Sequence, residues 1–361
     1  MATLLLLGTR KATLILKREG AGFLPVRTAH LGAGVPYACQ DPRSGTLWAC
    51  LDHGHWGAKL QRSKNGGETW EEVAPPKYPE GEKRGDGEPA ALRYLWFLAP
   101  GLPSQPQRLY AGTDPGGLFV SDDGGETWAL NRGLWDHPSR PKQWFGGGRD
   151  QPGIHSVILD SRNPNRILVG ISCAGVFEST DGGTSWAPRN RGCRADFLPD
   201  PAAEVGQDPH YVAACAAQPD VLWQQNHCGI YRSADGAQNW TKISQPDAPA
   251  DFGFAIAADA QDPNTAWVVP AIKDETRVAV AGALCVSRTT DGGKTWQALR
   301  KGLPQAHAYD VTFRHALDVR GDLVAFGTTT GNVYFSADRG DSWACLGNNF
   351  PPVYSVRFAE G

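Results

Sequence analysis

The octapeptide SDDGGETW at residues 121–128 decides the fold, because nearly the same eight letters occur six times in the chain. The closing tryptophans of the copies are roughly 50 residues apart, and a local motif on a period of 20–50 residues predicts a radial array of similar units. The other copies are SKNGGETW (63–70), STDGGTSW (179–186), SADGAQNW (233–240), TTDGGKTW (289–296) and SADRGDSW (336–343).

Each octapeptide has the composition of a rigid turn. A serine or threonine at position 1 and an aspartate at position 3 can hydrogen-bond the backbone of the turn, and glycines at positions 4 and 5 allow positive φ angles. The tryptophan then begins a strand and is expected to bury its ring between neighbouring sheets. We therefore predict a structural rather than a catalytic role for the aspartates of the repeat, which are Asp123, Asp181, Asp235, Asp291 and Asp338.

The segments around each octapeptide repeat a pattern of four short strands. One copy reads GIHSVILDSRNPN, RILVGIS, AGVFES and WAPR, with the octapeptide between the third and fourth strands. Short strands separated by regular turn signals indicate an all-β protein, and four-stranded units arranged radially form a β-propeller.

The two ends of the chain supply one more unit. Residues 1–31 contain a second, third and fourth strand, and residues 351–361 contain a first strand. Joined, they complete one blade and remove the open sheet edge. With the six repeats, this composite predicts a single seven-bladed propeller domain over residues 1–361.

Composition narrows the class of protein. The chain of 361 residues has a formal net charge of −3, which predicts no nucleic-acid partner. No stretch approaches the ~18 apolar residues of a membrane span, and the leucine-rich start has neither the basic residues nor the cleavage site of a signal peptide. The eight cysteines lack metal-finger spacing, so we expect reduced thiols. These features predict a soluble cytoplasmic protein with no membrane partner, and they leave the oligomeric state open.

The octapeptide resembles the Asp-box, or bacterial neuraminidase repeat, and the start LLLLGTRKA is similar to that of bacterial single-domain sialidase-like and glycosyl-hydrolase-like proteins. Asn65 replaces aspartate in the first copy, and Arg339 replaces glycine in the last. The resemblance implies that a ligand binds on the propeller face opposite the boxes. Box propellers include sialidases, xyloglucan hydrolases, sortilin-like receptors and a photosystem assembly factor, so it implies enzymes and binding proteins alike. The arginine-bearing RIP motif of sialidases is absent, which argues against their mechanism.

Histidines are concentrated at strand ends opposite the boxes. His155 and His210 enter the innermost strands of neighbouring blades, and loops between second and third strands carry His53, His55 and His227. Neutral imidazole is a common ligand of zinc and similar ions. These five histidines are therefore predicted to bind a divalent metal as cofactor; the alternative is that they only bond each other and water.

Three long connections, residues 71–93, 130–153 and 187–210, are expected to wall a pocket on the same side. Acids and aromatic residues in or near them supply the remaining candidates. The predicted catalytic residues are Glu204, Asp208, Asp310, Tyr309, Tyr94 and Arg93, and the predicted substrate-binding residues are Tyr354, Asp114, Asn226 and the aromatic pair Trp144–Phe145. Alignment of the repeats predicts that Tyr309 enters the innermost strand of the last full blade.

Three functions remain open at this point. The first is a hydrolase or lyase that acts on a small polar, sugar-like substrate in a histidine-rich pocket, assisted by a metal. The second is a glycosidase with paired carboxylates, which must lie about 5 to 9.5 Å apart. The third is a non-catalytic propeller that binds a ligand or a protein.

Overall fold

Sheets of four antiparallel strands recur along the computed structural model, which describes residues 3–20, 22–244 and 249–361. Within these residues there are seven sheets, six with four strands and one with five, and they are the blades of a β-propeller, as the repeats predict. Residues 1, 2 and 21 of the predicted first blade lie outside the described residues. The chain divides into two units, one of Met1–Gln40 with His210–Gly361 and one of Asp41–Pro209.

The composite blade is confirmed in the first unit. The C-terminal strand pairs antiparallel with the first strand, and Leu6 lies opposite Arg357. The sheet order is β29-β1-β2-β3. Its strands are β1 (Thr3–Thr9), β2 (Thr13–Glu19), β3 (Gly22–Ala29) and β29 (Val353–Glu360).

Three further meanders belong to this unit, the first of which begins at the unit boundary. One sheet has an additional strand, β22, paired with β21. The strands are β16 (Pro209–Cys215), β17 (Gln218–Asn226), β18 (Gly229–Ser233) and β19 (Thr241–Lys242); β20 (Gly253–Ala258), β21 (Ala266–Lys273), β22 (Thr276–Ala279), β23 (Val286–Thr289) and β24 (Gln297–Leu299); and β25 (Leu317–Arg320), β26 (Leu323–Gly327), β27 (Val333–Ser336) and β28 (Ala344–Gly347).

The second unit contains the long connections predicted to wall a pocket. Its two complete meanders are joined by a segment with two short helices, α1 (Arg132–Trp135) and α2 (Arg140–Gln143). A third sheet has the order β4-β5-β6-β7, in which β5, β6 and β7 belong to this unit and β4 ends at Gln40, the last residue before the boundary. The strands are β4 (Gly34–Gln40), β5 (Leu47–Asp52), β6 (Ala58–Ser63) and β7 (Glu71–Val73); β8 (Tyr94–Pro100), β9 (Leu109–Asp114), β10 (Leu118–Ser121) and β11 (Ala129–Leu130); and β12 (Ile154–Asp160), β13 (Asn163–Ile171), β14 (Gly175–Ser179) and β15 (Ala187–Pro188).

The apolar core lies between adjacent sheets. In the first unit, Trp267 of β21, Phe326 of β26 and Trp343 belong to one buried cluster, and the rings of Phe326 and Trp343 meet edge to face at 5.1 Å. The prediction for the box tryptophans holds fully for three of them, because Trp186, Trp240 and Trp343 are buried. The other three are half-buried: Trp70, Trp128 and Trp296.

The boxes form the predicted turns. The hydroxyl of Ser121 accepts a hydrogen bond from the N–H of Gly125 at 2.8 Å. The Asp123 carboxylate accepts bonds from the hydroxyl of Thr127 and from the N–H groups of Thr127 and Glu126. These bonds stabilise the ionised carboxylate and lower the pKa of Asp123 to about 2. The bond from the Thr127 hydroxyl makes the largest contribution. The structural role predicted for this aspartate is confirmed.

One predicted strand start is wrong. Tyr309 was expected to enter the innermost strand of the last blade, but β25 begins only at Leu317. Tyr309 lies in the connection before it and is 63% exposed. Alignment of the repeats placed a strand start at Tyr309, whereas Val311, two residues later, packs its side chain in a cluster with Phe252, Phe254 and Ala271.

Candidate functional site

Asp114 is the centre of a cluster of charged residues in the second unit. It is the last residue of β9, and its side chain is almost completely buried, with the residue 3% exposed. Its Oδ2 accepts a hydrogen bond from Nε of Arg149 at 2.5 Å. Among the described residues its Oδ1 has no hydrogen-bond partner. A buried carboxylate oxygen without a partner is costly and is characteristic of functional sites.

The sequence around Asp114 explains its position. The strand ends at a cis peptide bond between Asp114 and Pro115, and the carbonyl of Pro115 accepts bonds from the hydroxyls of Thr113 and Tyr78. Gly117 continues the turn, where an added Cβ would come within 2.4 Å of the Tyr78 hydroxyl oxygen. The GTDPGG segment is therefore held rigidly, and the carboxyl group with it.

Arg149 is fixed over an aromatic ring. Its guanidinium carbon lies 3.9 Å from the ring centroid of Tyr94 and 5.7 Å from that of Trp96. Arg93 lies at the same sheet end: its N–H donates to the carbonyl of Asp114, and its Nη1 lies 3.7 Å from Oδ2 of Asp150. Two predicted catalytic residues, Tyr94 and Arg93, and one predicted substrate-binding residue, Asp114, are thus brought together.

Burial sets the protonation behaviour of this cluster. Desolvation raises the pKa of Asp114, against the pull of the neighbouring Arg149 guanidinium. The Asp86 carboxylate, on the connection before β8, has the opposite shift. Desolvation alone would raise the pKa of Asp86. Hydrogen bonds from the N–H of Glu88 and from Arg84 outweigh it and hold the pKa below its usual value.

A pocket of about 170 Å³ begins one residue beyond Asp114, at Pro115 and Gly116. Since a water molecule occupies about 30 Å³ of the liquid, this volume corresponds to about six waters, enough for one small polar ring. Its walls combine tryptophan faces with charged and amide groups, and they include Trp135, Trp144, Arg84, Arg140, Asp86 and Gln151.

The aromatic pair predicted to bind substrate divides between two environments. Trp144 is buried in the pocket wall and donates from Nε1 to the hydroxyl of Ser139 at 3.0 Å. Phe145 also lines the pocket, is about one-third exposed, and meets Phe197 edge to face at 6.2 Å.

A second cluster, in the first unit, contains two of the predicted metal ligands. The rings of His210 and His227 meet edge to face with centroids 5.6 Å apart. His210 stacks on Phe254 at 4.6 Å, and both histidines contact Phe252. The other three predicted ligands, His155, His53 and His55, lie in the second unit.

His155 is completely buried, and both ring nitrogens make hydrogen bonds. Nδ1 lies 2.9 Å from the hydroxyl of Ser156, and Nε2 lies 2.8 Å from the carbonyl of Pro209. A metal could reach this imidazole only by displacing one of these bonds. His53 and His55 are exposed beside a short 3₁₀ turn, Gly54–Trp56.

The predicted acids differ widely in environment. Glu204 is exposed. Asp208 is buried, and its Oδ1 accepts bonds from the Ser172 hydroxyl and the Cys173 N–H. Asp310 is buried in the first unit, where Oδ1 accepts bonds from Thr330 and Asn332, both at 2.6 Å.

Two predicted substrate-binding residues belong to the first unit, whereas the residues that line the pocket belong to the second. The Asn226 amide is engaged locally, because it donates to Gln224 at 2.6 Å and accepts from the N–H of Cys228 at 3.0 Å. Tyr354 is half-buried on β29.

Sequence reasoning missed Arg149, Asp86 and Trp135. Arg149 lies in FGGGRDQPG, which has no phosphate-binding context, yet a lone arginine and aspartate in a glycine-rich connection are a signal for a charged site. Asp86 lies in the similar segment RGDGEP. Trp135 can be distinguished from the box tryptophans in the sequence because no box octapeptide precedes it.

The repeats were compared with known families. The family model described as BNR/Asp-box repeat matches residues 119–130. This match identifies residues 119–130 as a BNR/Asp-box repeat. Among the helices of the described residues, none is long and apolar enough to cross a membrane.

Its similar relatives include glycoside hydrolases. The chain is 29% identical over 206 residues to an oligoxyloglucan-reducing end-specific xyloglucanase of Emericella nidulans. This alignment covers 55% of the chain and 23% of the relative. It is 26% identical over 301 residues to a xyloglucanase of a Paenibacillus species, covering 75% of this chain and 26% of the relative. The chain thus spans about a quarter of the length of these relatives.

Two solved structures share the fold. An ancestral GH74 enzyme superposes with a TM-score of 0.58 at 17% identity, over 90% of this chain and 38% of that chain. YCF48 bound to D1 peptide superposes with a TM-score of 0.55 at 15% identity, over 91% of this chain and 88% of that chain. At these identities the likeness shows the propeller fold of the chain and nothing about its activity.

Proposed function

We propose that the protein is a glycosidase-like hydrolase whose acid–base group is the Asp114 carboxyl. The observation that carries this proposal is the burial of Asp114 with one oxygen lacking a partner among the described residues, at the edge of a pocket with aromatic walls. A buried carboxyl with a raised pKa retains its proton at higher pH than an exposed one, as a general acid must.

A glycosidase needs a second carboxylate that remains ionised, and Asp86 is the candidate. It lines the pocket, and its pKa is shifted in the direction opposite to that of Asp114. Two carboxyl groups with environments that separate their pKa values can divide the acid and base roles. Asp150 is the alternative, because its charge contributes to the raised pKa of Asp114.

The pocket favours a carbohydrate ring over a larger apolar ligand. The ring of Trp144 can pack on the C–H face of a sugar, while Arg140, Gln151 and Asp86 can hydrogen-bond its hydroxyl groups. The similarity to xyloglucanases supports a carbohydrate substrate. We therefore propose oligosaccharides of the xyloglucan type as the first substrates to test.

The test uses two classes of substrate and three variants. Asp114→Asn should lower hydrolysis of oligosaccharides by 10²–10⁴-fold, the usual contribution of a general acid. It should lower hydrolysis of aryl glycosides with a good leaving group much less, since such a group departs without protonation. Asp122→Asn is the matched control, because Asp122 is exposed and pairs only with Arg108 at the surface. Asp86→Asn tests the second carboxylate.

The rival outcomes are clear. Equal loss on both substrate classes would assign Asp114 a binding role, and loss in Asp208→Asn or Asp310→Asn with full activity in Asp114→Asn would move the acid to those residues. Saturable binding of a sugar or peptide with no turnover of any glycoside would show a binding propeller instead of an enzyme.

A further inference from the structure

An arginine comes immediately before three of the boxes, and it has the same structural position each time. Arg62, Arg232 and Arg288 are the penultimate residues of β6, β18 and β23. Each of them lies opposite the first residue of the following strand. The repeats therefore show how one position behaves with three different sets of neighbours.

In two of these repeats a carboxylate pairs with the arginine. Arg62 donates to Glu71, which lies opposite it, and at 2.6 Å to Glu126, the sixth residue of the next box along the chain. Burial alone would lower the pKa of Arg62, but the bonds to these two carboxylates outweigh it and raise the pKa. Arg288 pairs at 2.9 Å with Asp341, which is again the sixth residue of the next box.

Arg232 has no carboxylate partner within residues 3–20, 22–244 and 249–361. Thr241 lies opposite it, and the sixth residue of the next box is Lys294. Nη2 of Arg232 donates to two neutral oxygens, the carbonyl of Pro263 at 3.2 Å and the side chain of Asn264 at 3.3 Å. Nε is buried and has no hydrogen-bond partner in the same part of the chain. Burial lowers the pKa of the Arg232 guanidinium, and no carboxylate offsets this effect.

A pocket of about 390 Å³ lies beside this arginine. Lys242 and Lys294 contribute ammonium groups to its wall, and Thr241 and Ser244 contribute hydroxyl groups. Among the described residues that line it, none is acidic. The pocket therefore combines three positively charged side chains with neutral hydrogen-bond donors.

We propose that this pocket binds a small dianion of the phosphate type. The anion would balance Arg232 as the two glutamate carboxylates balance Arg62. A tetrahedral oxyanion suits this wall better than a single carboxylate does, because it carries two charges and each oxygen can accept from a separate donor. The pocket belongs to the first unit, and the proposal does not depend on the hydrolase activity.

The experiment measures phosphate binding to the full chain. The protein is titrated with inorganic phosphate by calorimetry in a low-salt buffer at mildly alkaline pH, where phosphate is a dianion. We expect one equivalent to bind, with an affinity that falls as salt is added. Lys294→Glu should weaken binding at least tenfold, because the new carboxylate can pair with Arg232 as Glu126 pairs with Arg62. Lys11→Glu is the matched control, since it makes the same change of charge at an exposed lysine of the same unit outside the pocket.

Two further measurements separate binding from folding and from diffuse attraction. Lys294→Gln, at an exposed position, removes one charge without adding a carboxylate, and it should weaken binding several-fold with unchanged far-UV circular dichroism. Without phosphate, Lys294→Glu should melt at a higher temperature than the unchanged protein, because it gives Arg232 an ion pair. The assignment would be overturned by the absence of a saturable phosphate equivalent, by equal weakening in Lys294→Glu and Lys11→Glu, or by acetate binding as tightly as phosphate.

Discussion

Replacing the buried Asp114 by asparagine should remove activity without removing stability. The raised pKa of Asp114 means that the folded protein favours the neutral carboxyl more than the unfolded chain does. Ionised Asp114 therefore costs stability at neutral pH, even with Arg149 beside it. Asparagine has nearly the same shape, is neutral, and can still accept a bond from Arg149.

The magnitude follows from two opposing contributions. An unpartnered buried polar atom costs about 1–3 kcal/mol, and the bond from Arg149 to a carboxylate contributes about 1.5–3 kcal/mol. Arg149 is about one-third exposed, so solvent screens its contribution. Because the pKa is raised, burial outweighs the ion pair. We expect Asp114→Asn to increase the free energy of unfolding by about 1 kcal/mol at pH 7.

The pH dependence gives the sign independently. A carboxyl with a raised folded-state pKa contributes stability below its usual value of 3.8, and this contribution is lost as pH rises through the folded-state pKa. The difference in unfolding free energy between Asp114→Asn and the unchanged protein should therefore be near zero below pH 3.8 and reach its full value above the raised pKa. The box carboxylates titrate in both proteins and cancel in this difference.

Urea denaturation at several pH values measures this difference, with Asp122→Asn as the control that should stay within about 0.5 kcal/mol of the unchanged protein. A loss of more than 1 kcal/mol in Asp114→Asn at pH 7 would show that the ion pair with Arg149 outweighs burial. A difference that does not vary with pH would show that Asp114 has no raised pKa. Either result would remove the basis for assigning it the role of general acid.

Two further predictions concern the scaffold of the second unit. Glu178→Ala should lower the free energy of unfolding by about 3 kcal/mol, because it removes a buried carboxylate that pairs with Arg166. Glu126→Ala removes an exposed carboxylate from an ion pair and should lower the free energy of unfolding by less than about 1 kcal/mol. Gly112→Ala should cost about 1–3 kcal/mol, since the new Cβ would lie 2.5 Å from a backbone oxygen, whereas Gly148→Ala meets no atom within 4 Å and should be nearly neutral. Urea denaturation checks both pairs; equal losses within either pair would contradict the reasoning.

The fold could be predicted from the sequence because its determinants are local. Box turns depend on residues within eight positions, and the strand pattern repeats around each of them. The composite blade was predictable because residues 1–31 lack a first strand and residues 351–361 supply one. Tyr309 shows where this reasoning fails. The surrounding sequence resembles a strand start, but Val311 is buried against Phe252, Phe254 and Ala271. No local sequence pattern reveals such contacts.

The candidate site was only partly predictable, because residues distant in sequence form it. Loop position indicated Asp114, Arg93 and Tyr94, but not that Arg149 would reach back to Asp114 across 35 residues. The histidines were selected by residue type, but the structure shows His155 and His210 hydrogen-bonded to the protein backbone. The two histidines occupy equivalent sequence positions, so the sequence does not reveal that the Nε2 of His155 lies beside the Pro209 carbonyl or that the Nδ1 of His210 lies beside the Gly253 carbonyl.

Aspartate serves opposite purposes at the two ends of one sheet. At the box, Asp123 is surrounded by N–H and hydroxyl donors, which stabilise its charge and lower its pKa to about 2. At the end of β9, Asp114 has one arginine and a buried oxygen without a partner among the described residues, and its pKa is raised. Because the box turn satisfies itself within eight residues, it needs nothing from the opposite end of the sheet. That end can therefore carry a carboxyl that destabilises the fold, and such a cost is expected where a group is kept for chemistry.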